Sequence, residues 1–186
     1  MSFFLSNEEK KYLLQLARAS IQSFLENKVK PQTEYFSPTL KTESGIFVTL
    51  HKNDDLRGCI GYVHGYRPLQ DAVSEMAISA AFNDPRFHPV TRDELPLLEI
   101  EISVLSPLTK IQDLSEIEIG RDGLLIKQNH REGLLLPQVA TEYHWDRQTF
   151  LEQTCRKAGL PAQAWQEENT EIFRFSAIIF NEQDFS

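Results

Sequence analysis

Leu56-Arg57-Gly58-Cys59-Ile60-Gly61 is the stretch whose reading decides the fold. It follows a strand-like run at residues 45–51 and the turn signal Asn53-Asp54-Asp55. Alternating apolar residues on both sides of such a turn predict a β-hairpin. A two-residue turn at Asn53-Asp54 pairs Lys52 with Asp55, and by extension Val48 with Cys59 and Thr49 with Gly58. That register sets Cys59 on the face of Ile46, Val48 and Leu50, with Phe47, Thr49 and Ile60 on the other. Both faces are largely apolar, which predicts a central hairpin covered on both sides.

Gly58 and Gly61 flank the cysteine. Glycine inside a strand weakens it, and marks a bulge or a close approach by another backbone or a ligand. Arg57, two positions before Cys59, is expected on the same face, where it would hold an anion or favour a thiolate. The competing reading is a well-packed hairpin with an inert, buried Cys59, since free cysteine is among the most buried residue types.

Outward from the hairpin, Ser6 and Glu9 have capping-box spacing. Leu13, Leu14, Ala17, Ile21, Phe24 and Leu25 then form a helical stripe that runs to about Val29 and stops at Pro31. Residues 31–44, with Thr33, Tyr35 and Pro38, read as irregular chain. Pro68 suits the start of a second helix, with Val73, Met76, Ala77, Ala80 and Ala81 as a small-residue stripe packed on a sheet. Asn83-Asp84-Pro85-Arg86-Phe87-His88-Pro89 ends it in a rigid loop carrying Asn83, Asp84, Arg86 and His88, the kind of place where functional groups sit. Arg86 would pair with Asp84 or with a carboxylate on the next strand. Thr91 and Glu94 repeat the capping spacing before a single turn.

Leu98, Ile100, Ile102 and Val104 alternate with Glu99, Glu101 and Ser103, a half-buried strand whose two carboxylates sit roughly 7 Å apart. They read as a solvated face, or as one carboxylate accepting from Arg57 or Arg86. Gly120-Arg121-Asp122-Gly123 reads as a second hairpin turn, Asn129-His130-Arg131-Glu132-Gly133 as another, and residues 117–136 as a meander of three short strands. Asp146 is placed to cap a helix carrying Phe150, Leu151, Thr154, Cys155 and Ala158, which makes Cys155 a buried small hydrophobe. Residues 171–180 read as one long strand returning to the centre of the main sheet. The fold class is therefore α+β: a mainly antiparallel sheet flanked by helices, with a smaller lobe of short strands beside it. The main lobe is expected at about 1–110 plus 140–186, the smaller at about 111–139.

With 186 residues, the chain is long enough for a full core without disulfides. Its net charge of −8, with no clustered Lys or Arg, disfavours nucleic acid as a partner. Two distant cysteines, Cys59 and Cys155, fit reduced thiols better than a secreted disulfide scaffold. Met1-Ser2-Phe3-Phe4-Leu5 turns acidic at Asn7-Glu8-Glu9, unlike a signal peptide, and no window approaches a membrane span. A cytoplasmic location is expected.

Five scattered histidines and the absence of paired ligand motifs give no metal site, and no cofactor is expected. A phosphate-cradling loop and a serine nucleophile elbow are also missing. Two readings of the central stretch stay open. In a thiol enzyme, Cys59 is the nucleophile, Arg57 favours its thiolate, His88 or His64 carries the proton, and Asp84 or Glu101 orients it. In a binding module, a groove lined by Gly58, Gly61, Thr49, Asn83 and Arg86 receives a small molecule or an extended peptide.

Residues 56–61, Ala81-Phe82-Asn83-Asp84-Pro85-Arg86-Phe87, Glu99-Ile100-Glu101-Ile102-Ser103-Val104-Leu105, Gly133-Leu134-Leu135-Leu136-Pro137-Gln138-Val139 and Trp145 together resemble, in this order, the AMMECR-type family. In prokaryotes that family is known as AmmeMemoRadiSam system protein A. The resemblance implies a three-protein system with a Memo-like protein, related to extradiol dioxygenases, and a radical SAM protein. It implies no particular reaction, and it adds a third possibility, an accessory subunit docking on those partners.

Overall fold

The computed structural model describes residues 4–29, 31 and 37–185. The sequence readings at Met1 to Phe3, and those at Thr33 and Tyr35, lie outside the described residues. The chain divides into two compact units, residues 1–105 with 178–186, and residues 106–177. Both are α+β and each carries one four-stranded sheet, the paired strands of known register all being antiparallel.

In the first unit, helix α1 (Asn7–Asn27) starts at the Ser6–Glu9 capping box, each side chain bonding the other's backbone. Its buried stripe of Leu13, Leu14, Ala17 and Ile21 belongs to one apolar core with helix α2 (Leu69–Phe82) and a sheet. The sheet has the order β2-β1-β3-β8. Its strands are β1 (Ile46–Lys52), β2 (Asp55–Tyr62), β3 (Leu98–Leu105) and β8 (Ala177–Asn181). Ile46, Val48, Leu50, Ile100, Ile102 and Val104 form the buried sheet face. Arg18 of α1 donates to both carboxylate oxygens of Glu182 and to the carbonyls of Leu95 and Leu98. Glu182 in turn accepts from the Ile100 amide, so the last residues are tied to both α1 and β3.

The hairpin forms around Asn53 and Asp54, both at positive φ (53° and 66°), as a two-residue turn matching the twist of the strands requires. Lys52 faces Asp55 as expected, but the register further on does not hold. A bulge leaves Arg57 as an extra residue, with Leu50 opposite Gly58 and His51 opposite Leu56. Cys59 therefore faces Thr49, not Val48, and shares the sheet face of Phe47, Thr49, Glu101 and Ser103. That face is only partly apolar, and β2 is an edge strand rather than a central one.

The second unit holds strands β4 (Thr109–Lys110), β5 (Gly123–Gln128), β6 (Arg131–Leu135) and β7 (Thr170–Phe175) in the order β4-β7-β5-β6. Helices α3 (Pro137–Glu142) and α4 (Arg147–Lys157) accompany them. Asp146 caps α4, and Cys155 is wholly buried beside Phe150 and Leu151. Three sequence expectations are corrected. The unit extends to residue 177, because β7 pairs with β5 over six residues and α4 packs on β5 and β6. Residues 120–123 are no hairpin turn: buried Asp122 accepts from the Glu118 amide and from Arg121, whereas the other expected turn does form a hairpin, at Asn129-His130. Residues 171–180 are two strands in different sheets, and β8 lies at a sheet edge. The break falls at Ser176, whose amide donates to Ser106 Oγ and whose carbonyl accepts from the Ser106 amide.

The two glycines of the hairpin are sites of close packing. A Cβ at Gly58 would lie 2.2 Å from the Ala80 carbonyl oxygen, and one at Gly61 2.1 Å from the Ile46 carbonyl oxygen and 2.5 Å from the Phe47 ring. Both spaces are filled by the protein itself, so the expected glycine-lined groove is absent at these positions. Gly58→Ala is expected to destabilise the chain by about 2 kcal/mol or more, because the obstructing atom is helix backbone. Urea unfolding checks this, and an unchanged midpoint would contradict the close approach.

Candidate functional site

The loop after α2 is built onto the outer edge of β2. In an antiparallel ladder, the backbone N–H and C=O of alternate residues point away from the partner strand. Those of Cys59 are taken up by side chains of the loop. Asp84 Oδ2 accepts from the Cys59 amide at 2.9 Å, and Arg86 Nη2 donates to the Cys59 carbonyl at 3.3 Å. The outward backbone of Cys59 is that of a non-hydrogen-bonded pair with Thr49, in which side chains approach most closely. Accordingly, Thr49 Oγ1 lies 3.2 Å from Cys59 Sγ, its hydroxyl donating.

Asp84 is 4% exposed, yet it is charged and fully partnered. Its carboxylate receives Arg86 Nε at 3.0 Å and Nη2 at 2.7 Å, the Arg86 amide and the Cys59 amide. The Arg86 guanidinium first, then these amides, hold the Asp84 carboxyl well below the usual carboxylate range, outweighing burial.

Arg57, displaced by the bulge, turns to the same loop. Its Nε and Nη2 donate to Glu94 at 3.1 and 3.0 Å, and Nη2 also donates to the His88 carbonyl at 2.9 Å. Lys52 Nζ reaches the same Glu94 at 2.9 Å. The Arg57 guanidinium first, and Lys52 next, bring the Glu94 pKa down to about 2. Phe87 lies between these systems in sequence, its ring centroid 5.8 Å from the Arg57 guanidinium and 5.4 Å from that of Arg86. Arg57, Pro85, Arg86, Phe87, His88, Pro89, Thr91 and Glu94 line a hollow of about 490 Å³.

The candidate residues thus divide. Asp84 and Arg86 meet Cys59 through its backbone, and Thr49 meets its sulfur. Arg57 is committed to Glu94 rather than to the thiol or to Glu101. Glu101 faces Thr49 in register on the Cys59 side of the sheet, and the carboxylates that hold the two arginines are Glu94 and Asp84 instead. His88 lines the hollow and is exposed, while Asn83 is an exposed residue at the end of α2. Gly58 and Gly61 serve packing. Glu94 and Phe87 escaped the sequence reading as site residues. The Thr91-Glu94 spacing was a signal for Glu94, and Glu94 does bond the Thr91 amide, but periodicity does not reveal that it also faces Arg57. Among the described residues no cluster could hold a metal, and no helix is long and apolar enough to cross a membrane.

A two-unit α+β protein with an Asp–Arg clamp on an edge strand is the class these features define. The chain belongs to the AMMECR1 family, whose model matches residues 14–180. It is 43% identical over 185 residues to a protein of Methanothermobacter thermautotrophicus, covering 96% of each chain. It is 44% identical to protein MJ0810 of Methanocaldococcus jannaschii, covering 96% of this chain and 92% of that one. The crystal structure of the uncharacterized protein PH0010 from Pyrococcus horikoshii matches with a TM-score of 0.90 at 38% identity, over 96% of this chain and 94% of the other.

Two outcomes follow from this geometry. Glu94 has a depressed folded-state pKa, so its contribution to stability is present above the unfolded value and is lost as pH falls through the folded one. Stability is expected to decline between about pH 5 and 2, and Glu94→Gln to remove about 1–2 kcal/mol of it near neutrality, solvent screening the partly exposed pair. Urea titrations at several pH values measure this. Iodoacetamide is expected to label half-buried Cys59 in the native protein and buried Cys155 only after unfolding, as peptide mass spectrometry of the labelled protein would record.

Proposed function

We propose that this chain is a ligand-binding member of a cytoplasmic three-protein system, holding a small molecule or peptide in the hollow where the 85–94 loop closes on β2. Its partners in this reading are the Memo-like protein and the radical SAM protein. The observation that carries the reading is the grip of Asp84 and Arg86 on the Cys59 backbone, which fixes the hollow before any ligand arrives. Such preorganisation lowers the ordering cost of binding, and about 490 Å³ is within the range of ligand pockets. System membership is supported by the family to which the chain belongs.

Binding is favoured over catalysis by what surrounds the sulfur. Arg57 is engaged with Glu94, and the His88 imidazole bonds to none of the described residues. The second reading, a thiol enzyme, draws on one observation, the Thr49 hydroxyl donating to Cys59 Sγ, a contact that would also stabilise a thiolate.

Co-expression with the two partner proteins, followed by size-exclusion chromatography and a fragment screen by amide NMR, tests the proposal. Expected are co-elution and fragment-induced shifts at Phe87, His88 and Thr91, both retained within about threefold in Cys59→Ser, since the thiol makes no required contact. Failure to co-elute would overturn the assembly, and shifts confined to other surfaces would overturn the site. Turnover by the isolated chain that Cys59→Ser abolishes would favour the enzyme.

A further inference from the structure

We propose that the hollow is an oxyanion site, taking a ligand whose carboxylate or phosphoryl group is held by Arg57 and Arg86 and whose apolar body lies on Phe87. This deepens the binding reading above and rests on it. The two guanidinium groups are the only fixed cations among the lining residues, and Arg86 keeps a donor free at the surface. Arg57 uses Nε and Nη2, and its Nη1, without a partner among the described residues, is closed to solvent, so Arg57 acts on the hollow through its charge. Arg86 uses Nε and Nη2, and its Nη1 makes no hydrogen bond among the described residues although the side chain remains 54% exposed.

The charges point the same way. Glu94 is shared by Lys52 and Arg57, and Asp84 is spent on Arg86, so three cations meet two carboxylates. A cationic guest would meet two fixed guanidinium groups, and a neutral carbonyl would accept from them without the charge assistance that an oxyanion brings. An oxyanion supplies acceptors in the plane a guanidinium prefers. Arg86 is the exposed member and serves capture. Arg57, 14% exposed, lends its charge where screening is weaker. Phe87, half-buried and within 6 Å of both guanidinium groups, offers an apolar surface beside the charge. Phosphate esters and carboxylates share this chemistry.

The test is a titration of the full chain with phenyl phosphate, benzoate and neutral benzamide, read on the guanidinium Nε–H NMR signals of Arg57 and Arg86. Expected are saturable shifts of both signals with at least one anion, none with benzamide, and at least tenfold weaker binding in 0.5 M than in 0.05 M salt. Whichever of phenyl phosphate and benzoate binds more tightly identifies the source of the oxyanion. Arg86→Gln is expected to lose at least tenfold in affinity. Because that variant also releases β2, Phe87→Ala, with both arginines intact, is titrated in parallel. It is expected to keep its response to inorganic phosphate and to lose the preference for phenyl phosphate over it. Benzamide shifting Phe87 and His88 while the anions stay silent overturns the oxyanion class and leaves the binding site standing. Silence of every probe at the hollow overturns both, as do anion shifts scattered over surface lysines.

Discussion

The backbone of Cys59 is held on its outer side by two side chains rather than by another strand, and the rest of the site depends on that substitution. An edge strand exposes N–H and C=O groups that must be satisfied or solvated. Here a buried carboxylate accepts the amide and its own arginine partner donates to the carbonyl. Asp84 thereby receives four hydrogen bonds, enough to keep a desolvated charge in place. With the loop pinned at this point, Phe87 comes within reach of both guanidinium groups, and the His88 carbonyl and Glu94 become available to Arg57.

The bulge at Arg57 sorts the signature residues into separate tasks. One extra residue reverses which way every later side chain of β2 faces. It sends Arg57 to the loop, sets Gly58 under the Ala80 carbonyl where no larger residue fits, and brings Cys59 to Thr49. In an unbulged hairpin, Cys59 would lie among Ile46, Val48 and Leu50 in the core, and its sulfur would be sealed. Its backbone and its thiol thus meet different neighbours, the first belonging to the clamp and the second to the opposite side of the pleat.

Local rules were legible in the sequence where a feature is decided by neighbours along the chain. The Ser6–Glu9 box, the cap at Asp146, the turn at Asn53-Asp54 and the alternation of β3 are all of this kind. The 83–88 loop was marked by its own residues as a place for functional groups, and two of them do meet β2. The bulge was not legible, because counting outward from a turn assumes an uninterrupted ladder. Glu94 went unnoticed as the partner of Arg57 since its capping role already accounted for it. The two strands within 171–180 carry a single alternating pattern, and only the switch of partners at Ser176 separates them. In each miss, a contact distant along the chain decided what periodicity left undetermined.

The paired hydrogen bonds between Ser106 and Ser176 carry a topological consequence. The residues where the chain leaves the first unit and where it returns are stapled together, so the 72 residues from Ser106 to Ala177 are an insertion whose ends almost touch. Chains tolerate such grafts because the host needs only a short bridge to close when the guest is absent. Length changes in that guest would therefore leave the spacing of β3 and β8 untouched.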